Sequence, residues 1–216
     1  MIEHVYARAS AVTSLAAVIV ATDDERIANA VRAFGGLVEM TRRTHRSGTE
    51  RVAEVAGRIS CGLVVNVQGD EPFIDPSMIV DALRPFAEDP SVQMSTLRQR
   101  IDDLDEAANP NVVKVVVDGR GDALYFSRHT IPYTRTDAAP PLHKHLGLYV
   151  YRRPFLLTLA SLPPMPLEQA ESLEQLRALE HGFRIRTVDT AGHALGVDTP
   201  EDVARARRAL TAGARA

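Results

Sequence analysis

From its first residues the chain alternates segments of helical period with short apolar runs of strand length, a rhythm that restricts it to helices packed on a sheet with parallel strands. Val5, Ala9 and Val12 fall on one helical face, and the segment runs into the strand AAVIVAT ending at Thr22. Asp23 or Asp24 is placed to cap a helix over DERIANAVRAF. Its stripe of Ile27, Ala30, Val31 and Phe34 stops at Gly35-Gly36. LVEM is a short strand, the polar loop TRRTHRSGT leads into the helix ERVAEVAGRI, and LVVNV follows. This last strand is expected to be fully buried because its apolar residues barely alternate.

The middle changes character. A helix is expected near Asp75 to Glu88, then three strands: VQMSTLRQ, NVVKVVVD and DALYFS. DGRGD joins the last two as a compact turn, so they read as a hairpin inserted into the parallel scheme. HKHLGLYVYR is another strand. The last third holds a helix over PLEQAESLEQLRALEHG, the strand RIRTVDT and a helix over TPEDVARARRAL that opens on a capping box. With no repeat or linker, 216 residues fit one α/β domain with a mixed, mostly parallel sheet flanked by helices.

Composition removes several function classes. With 25 Lys and Arg against 28 Asp and Glu, the net charge of -3 offers nucleic acid or anionic lipid no general attraction. The scattered aromatic residues form no stacking platform. Cys61, a single cysteine, cannot close an internal disulfide, and no apolar run approaches the roughly 18 residues of a membrane span. MIEHVYARAS lacks the charged-then-apolar pattern of a secretion signal, so a cytoplasmic setting is expected.

Open α/β sheets bind ligands outside the carboxyl ends of their strands, which directs attention to NVQGDEP after LVVNV. Asp70 offers a hard oxygen ligand suited to magnesium, or it caps a local turn. Asp198, before the final helix, is a second such carboxylate; as a bare sequence feature it reads first as a helix entry. The loop holding Arg42, Arg43, His45, Arg46, Ser47, Gly48, Thr49 and Arg51 joins backbone donors, hydroxyls and guanidinium groups at a helix start, suited to a nucleotide or another anion, or merely solvated. His143 and His145 flank Lys144 without a nearby third ligand, which disfavours zinc, and Cys61 reads as packing. On PLEQAESLEQLRALEHG the stripe Leu167, Ala170, Leu173, Leu176 and Leu179 is read as core, leaving Glu168, Glu171, Glu174, Gln175 and Arg177 to solvent. Arg128 after YFS is ambiguous.

Taken in order, HRSGTERVAEV, VVNVQGDEP, NPNVVKVVVD, ALYFSRHTIP, KHLGLYVYR, PLEQAESLEQLRALEHG and GVDTPEDV resemble the 3-deoxy-manno-octulosonate (KDO) cytidylyltransferase family, and their succession covers essentially the whole chain. The resemblance implies a GT-A-like nucleotidyltransferase fold and transfer of CMP from CTP to KDO, releasing pyrophosphate, in lipopolysaccharide synthesis. It implies that Asp70 and Asp198 are catalytic and hold magnesium. Ser47, Gly48, Thr49, Arg51 and Gln68 then lie beside the nucleotide. Gln68, Arg128, His145, Tyr149, Glu174 and Gln175 line the sugar-acid pocket, with Arg128 on the carboxylate, which reverses the solvent assignment of Glu174 and Gln175. A homodimer is also implied.

One departure stands at the front. The family opens with a strand and a glycine- and basic-rich loop of the type ARxxSTRLPGKPL, whereas Met1-Ile2 resembles a later segment, K-P-M-I-x-H-V. The expectation is that residues 1–216 are a nucleotidyltransferase domain lacking its first strand and phosphate loop, Met1 being an internal methionine of a protein longer by roughly thirty residues. Two alternatives accompany it: a cytidylyltransferase for another sugar acid, and a catalytically impaired remnant that binds nucleotide or dimerises.

Overall fold

A computed structural model of the chain describes residues 1–136 and 140–192. In chain order it comprises α1 (Ile2–Ser10), β1 (Ile19–Thr22), α2 (Glu25–Ala33), β2 (Leu37–Met40), α3 (Gly48–Arg58), β3 (Leu63–Asn66), α4 (Pro76–Glu88), β4 (Met94–Arg100) and α5 (Leu104–Ala108). Then follow β5 (Lys114–Val117), β6 (Ala123–Ser127), β7 (His143–Arg152), α6 (Arg153–Ser161), α7 (Pro166–Glu171), α8 (Gln175–Glu180) and β8 (Arg186–Asp189). Helix starts follow local chemistry. The side chains of Asp24, Ser47, Asp75 and Asp103 each accept a hydrogen bond from a first-turn backbone amide, and Pro76 opens α4.

β7 organises the main sheet. It lies antiparallel between β3 and β4 and touches β5, while β8 adds parallel to β4 and β6 closes a hairpin with β5. Tracing directions through these pairings, β3, β4, β5 and β8 run one way and β6 and β7 the other, the mixed and mostly parallel sheet expected. β1 and β2 pair in parallel as a separate two-stranded sheet. Alternation along β7 divides the core: Leu148 and Val150 join Ile74, Met78, Ile79 and Leu97 on one face, and Tyr151 joins Phe126, Phe155, Leu156 and Leu176 on the other. No described helix is long and apolar enough to cross a membrane.

Three sequence expectations need correction. In α2 the buried residues are Ala28 and Val31, while Ile27 and Ala30 are exposed, because the helix covers only a small two-stranded sheet and buries a narrow stripe. β3 is half-buried except at Asn66, since among the described residues it pairs only with β7. The single helix expected over residues 166–182 is two short ones, broken at Ser172, whose φ of 52° lies in the left-handed region. Beyond the break the chain changes direction, so Leu167 and Ala170 are exposed while Gln175 and Arg177 are buried. The short α5 and the α6 helix after β7 were not anticipated. Asp198 and the helix expected over TPEDVARARRAL lie outside the described residues.

Lys114 is fully buried, and its ammonium donates to the carbonyls of Asn109 (2.9 Å), Val112 (2.6 Å) and Arg128 (2.5 Å). Burial lowers its pKa, opposed by the charge of Glu171. Three carbonyls satisfied by three protons make it a strut between the 109–112 turn and the end of β6. Lys114→Met strips donors from all three, at an expected cost of about 2–4 kcal/mol, or a melting temperature about 5–15 °C lower. Calorimetry measures it; an unchanged Tm would refute the strut.

Candidate active site

The site forms where the end of β3, the start of α3, one face of β7 and the α7–α8 break converge. Period-two alternation puts His145, Gly147, Tyr149 and Tyr151 on one side of β7. Ring spacings agree: His145 to Tyr149 is 5.4 Å and Tyr149 to Tyr151 is 6.0 Å. A Cβ on Gly147 would meet nothing within 4 Å, so the missing side chain leaves open space on the cleft side of the strand. A cleft of about 430 Å³ opens there, lined by Glu71, Asn111, Lys144, His145, Tyr149 and Gln175, among others. Its volume suits a sugar-sized ligand.

Within the cleft His145, Tyr149 and the Gln175 side-chain carbonyl are held by hydrogen bonds. The Thr96 hydroxyl has one proton, directed at the Leu148 carbonyl (2.8 Å), so at 2.9 Å it accepts from His145 Nε2–H. Nδ1 is therefore left as an acceptor. Burial pushes His145 down to about 3, keeping the ring neutral. Its imidazole NMR signals are expected to report the Nε2–H tautomer with no titration from about pH 5 to 8, and a midpoint near 6.5 would overturn that assignment. Tyr149 donates to Gln175 Oε1 at 3.1 Å, and burial raises its pKa, holding it protonated. Gln175 Nε2 is buried without a partner among the described residues, and Gln175 is one of the residues lining the cleft.

The SGT loop abuts this cleft. Ser47 Oγ–H donates to Glu174 Oε1 at 2.6 Å and accepts from Glu50 N–H at 3.2 Å, capping α3. A Cβ on Gly48 would lie 3.5 Å from Gln68 Oε1, so the loop packs directly on the strand end that carries Asp70. Thr49 is buried beside the Tyr151 hydroxyl. Arg51 leaves the cleft: its Nη1 reaches Thr41 Oγ1 (2.6 Å) and Asp23 (3.3 Å), joining α3 to the small sheet. The loop's other basic side chains are largely matched. Arg42 and His45 pair with Glu54, Arg46 pairs with Glu50, and the His45 bond leads the causes that hold Glu54 at about 2. These matched pairs brace the loop on α3.

Asp70, partly exposed four residues beyond β3, makes no hydrogen bond or ion pair with the described residues. An open carboxylate at a strand end fits one ligand of a magnesium ion whose other positions go to phosphate and water. Arg128 spends Nε on the Glu171 carbonyl (2.8 Å), Nη1 on Pro110 (3.1 Å) and Nη2 on Ser172 (3.4 Å). It holds the α7–α8 break against the 109–112 turn and does not line the cleft. Ser127 and the Arg128 amide both bond Glu171, fixing that carboxylate at the end of β6. Sequence reasoning missed Asn111 as a cleft residue, named Glu71 only as part of NVQGDEP, and gave Lys144 no role. The period-two face of β7, with a glycine at its centre, was the signal available.

A family model described as cytidylyltransferase matches residues 1–185. The 3-deoxy-manno-octulosonate cytidylyltransferase of Solibacter usitatus is 54% identical over 98% of this chain and 84% of its own length. That of Geobacter sulfurreducens is 55% identical over 94% of this chain and 86% of its own. Among solved structures, a CMP:2-keto-3-deoxy-manno-octonic acid synthetase complexed with CTP superposes with a TM-score of 0.94 at 46% identity, covering 98% of this chain and 88% of that one. A 4-diphosphocytidyl-2C-methyl-D-erythritol synthase from Anaerococcus prevotii, 13% identical with a TM-score of 0.63 over 97% of this chain and 88% of that one, shares the fold alone.

Proposed function

The chain belongs to the cytidylyltransferase family, and from that premise we propose that it transfers CMP from CTP to KDO, forming CMP-KDO and pyrophosphate. The observation that carries the substrate is the cleft itself. The SGT loop is tied by one hydrogen bond, Ser47 to Glu174, to the residue between Leu173 and Gln175 of the cleft wall, which supports two substrates held on either side of that seam.

The sugar's anomeric hydroxyl attacks the α-phosphorus in line. The new O–P bond forms as the bond to the β-phosphate oxygen breaks, and pyrophosphate leaves. The protein's share is positioning and charge. Ser47, Gly48, Thr49 and Gln68 hold the nucleotide beside Asp70. His145 Nδ1 accepts from a sugar hydroxyl, and Gln175 Nε2 donates to a sugar oxygen. Glu174 orients Ser47, while Arg128 and Arg51 brace the walls. Asp70, with Asp198, would hold magnesium, which when bound neutralises the triphosphate.

The homodimer, the cytoplasmic location and the place in lipopolysaccharide synthesis are carried as parts of the same proposal. Sedimentation tests the first and cell fractionation the second. Pyrophosphate release from CTP, run side by side with KDO, an amino-substituted KDO and a sialic acid, tests the substrate. KDO is expected to give the highest kcat/KM. Faster turnover of either other acid would reassign the sugar, and CTP binding without release would favour a remnant that binds nucleotide.

A further inference from the structure

Arg177, itself buried, stands at the end of a polar chain that reaches the nucleotide loop, and we propose that it is a positioning residue, fixing Ser47 through Glu174. What that loop binds rests on the cytidylyltransferase reading; the chain of contacts does not.

Arg177 is 3% exposed. Its Nε and Nη2 make a fork on Glu168, with the Nε bond at 2.8 Å, which fixes the guanidinium plane. Nη2 also lies 3.8 Å from Glu174 Oε1, the same oxygen that accepts the Ser47 proton at 2.6 Å. The Ser47 hydroxyl has one proton. Once it is given to Glu174, a lone pair is turned to the Glu50 amide, and the first turn of α3, carrying Gly48 and Thr49, is set. Glu50 adds a third carboxylate within reach of the same cation.

Holding the fold alone does not require this arrangement. A buried ion pair is commonly replaceable by apolar packing at little cost, and Nη1 is buried with no partner among the described residues. What Arg177 does is hold Glu168 in a two-point fork and stand 3.8 Å from the Glu174 oxygen that takes the Ser47 proton. Without the guanidinium, Glu174 loses the cation that holds its carboxylate toward Ser47. Ser47 then loses the acceptor that fixes its rotamer, and the cap on α3 loosens. The α7–α8 segment therefore sets the geometry of the first turn of α3.

Amide hydrogen exchange over residues 47–51 tests this without substrate, on the wild type, Arg177→Met, Arg177→Lys, Ser47→Ala and the Arg177→Met/Ser47→Ala double variant. Arg177→Met is expected to speed exchange at Glu50 about tenfold, but less than about twofold where Ser47 is already alanine. Arg177→Lys, which keeps the charge, is expected to restore most of the protection. In turnover the same Met variant is expected to raise the KM for CTP about tenfold with a smaller change in kcat. Equal acceleration in both Ser47 backgrounds, or none in a folded Met variant, overturns the proposal. If the Met variant does not fold, Glu174→Ala removes the middle link and must show the same dependence on Ser47; its failure to do so overturns the proposal equally. A wild type that exchanges as expected yet makes no CMP-KDO would sink the substrate reading and leave the positioning role standing.

Discussion

Asp70→Asn is expected to lower kcat for CMP transfer by about 10²–10³-fold while moving the melting temperature by less than about 1 °C. The two readouts separate because the Asp70 carboxylate has no hydrogen bond or ion pair with the described residues. Asparagine keeps the shape of the side chain and removes only its charge. A carboxylate that merely stabilised the turn after β3 would cost stability and spare turnover. One that neutralises phosphate through a bound cation would do the reverse. Pyrophosphate release and thermal unfolding, measured on the same preparation, decide between them. A variant that turns over normally would remove Asp70 from the chemistry.

How much of this was legible in the residues depended on whether local pattern and tertiary context agreed. β7 was read at its full extent, His143–Arg152, because ten residues of strand-forming sequence lie between a proline-rich loop and Pro154. The β5–β6 hairpin followed from its turn, DGRGD, where Gly121 takes a φ of 84°. The α7–α8 segment failed for the opposite reason. Leu167, Ala170, Leu173, Leu176 and Leu179 make a continuous helical stripe on paper, and nothing local announces that Ser172 will adopt a left-handed conformation. That break is held from outside, by Arg128 on the Glu171 and Ser172 carbonyls and by the Glu168–Arg177 pair. Long-range contacts of this kind have no signature in a single sequence.

The same limit governed the site. Residues on one strand or loop, such as Gln68 with Asp70 or His145 with Tyr149, came as groups. The bond from Ser47 to Glu174 spans 127 positions and had no signal in the sequence; family resemblance only implied Ser47 beside the nucleotide and Glu174 in the sugar-acid pocket. Physical reasoning had placed Glu174 and Gln175 in water for want of that break. It also left the loop TRRTHRSGT as either an anion site or merely solvated, because Glu50 and Glu54, which pair with Arg46 and His45, belong to the following helix.

Gln175→Met is expected to raise the KM for the sugar acid about 10²-fold and to leave CTP affinity and thermal stability nearly unchanged. Gln175 is 5% exposed, and its Oε1 is committed to the Tyr149 hydroxyl while Nε2 has no described partner. An orphaned buried donor destabilises the free protein by about 1–3 kcal/mol, a cost relieved when a ligand oxygen arrives. Methionine fills the same volume and abolishes that cost, offsetting the acceptor Tyr149 loses, so stability should hold. The ligand's oxygen, by contrast, would be stripped of water with nothing to replace it. Loss of sugar-acid binding without loss of stability is the signature of a group kept for recognition at the fold's expense. If Gln175→Met instead melted early and bound the sugar acid normally, the amide would belong to the core, and the cleft would need another donor.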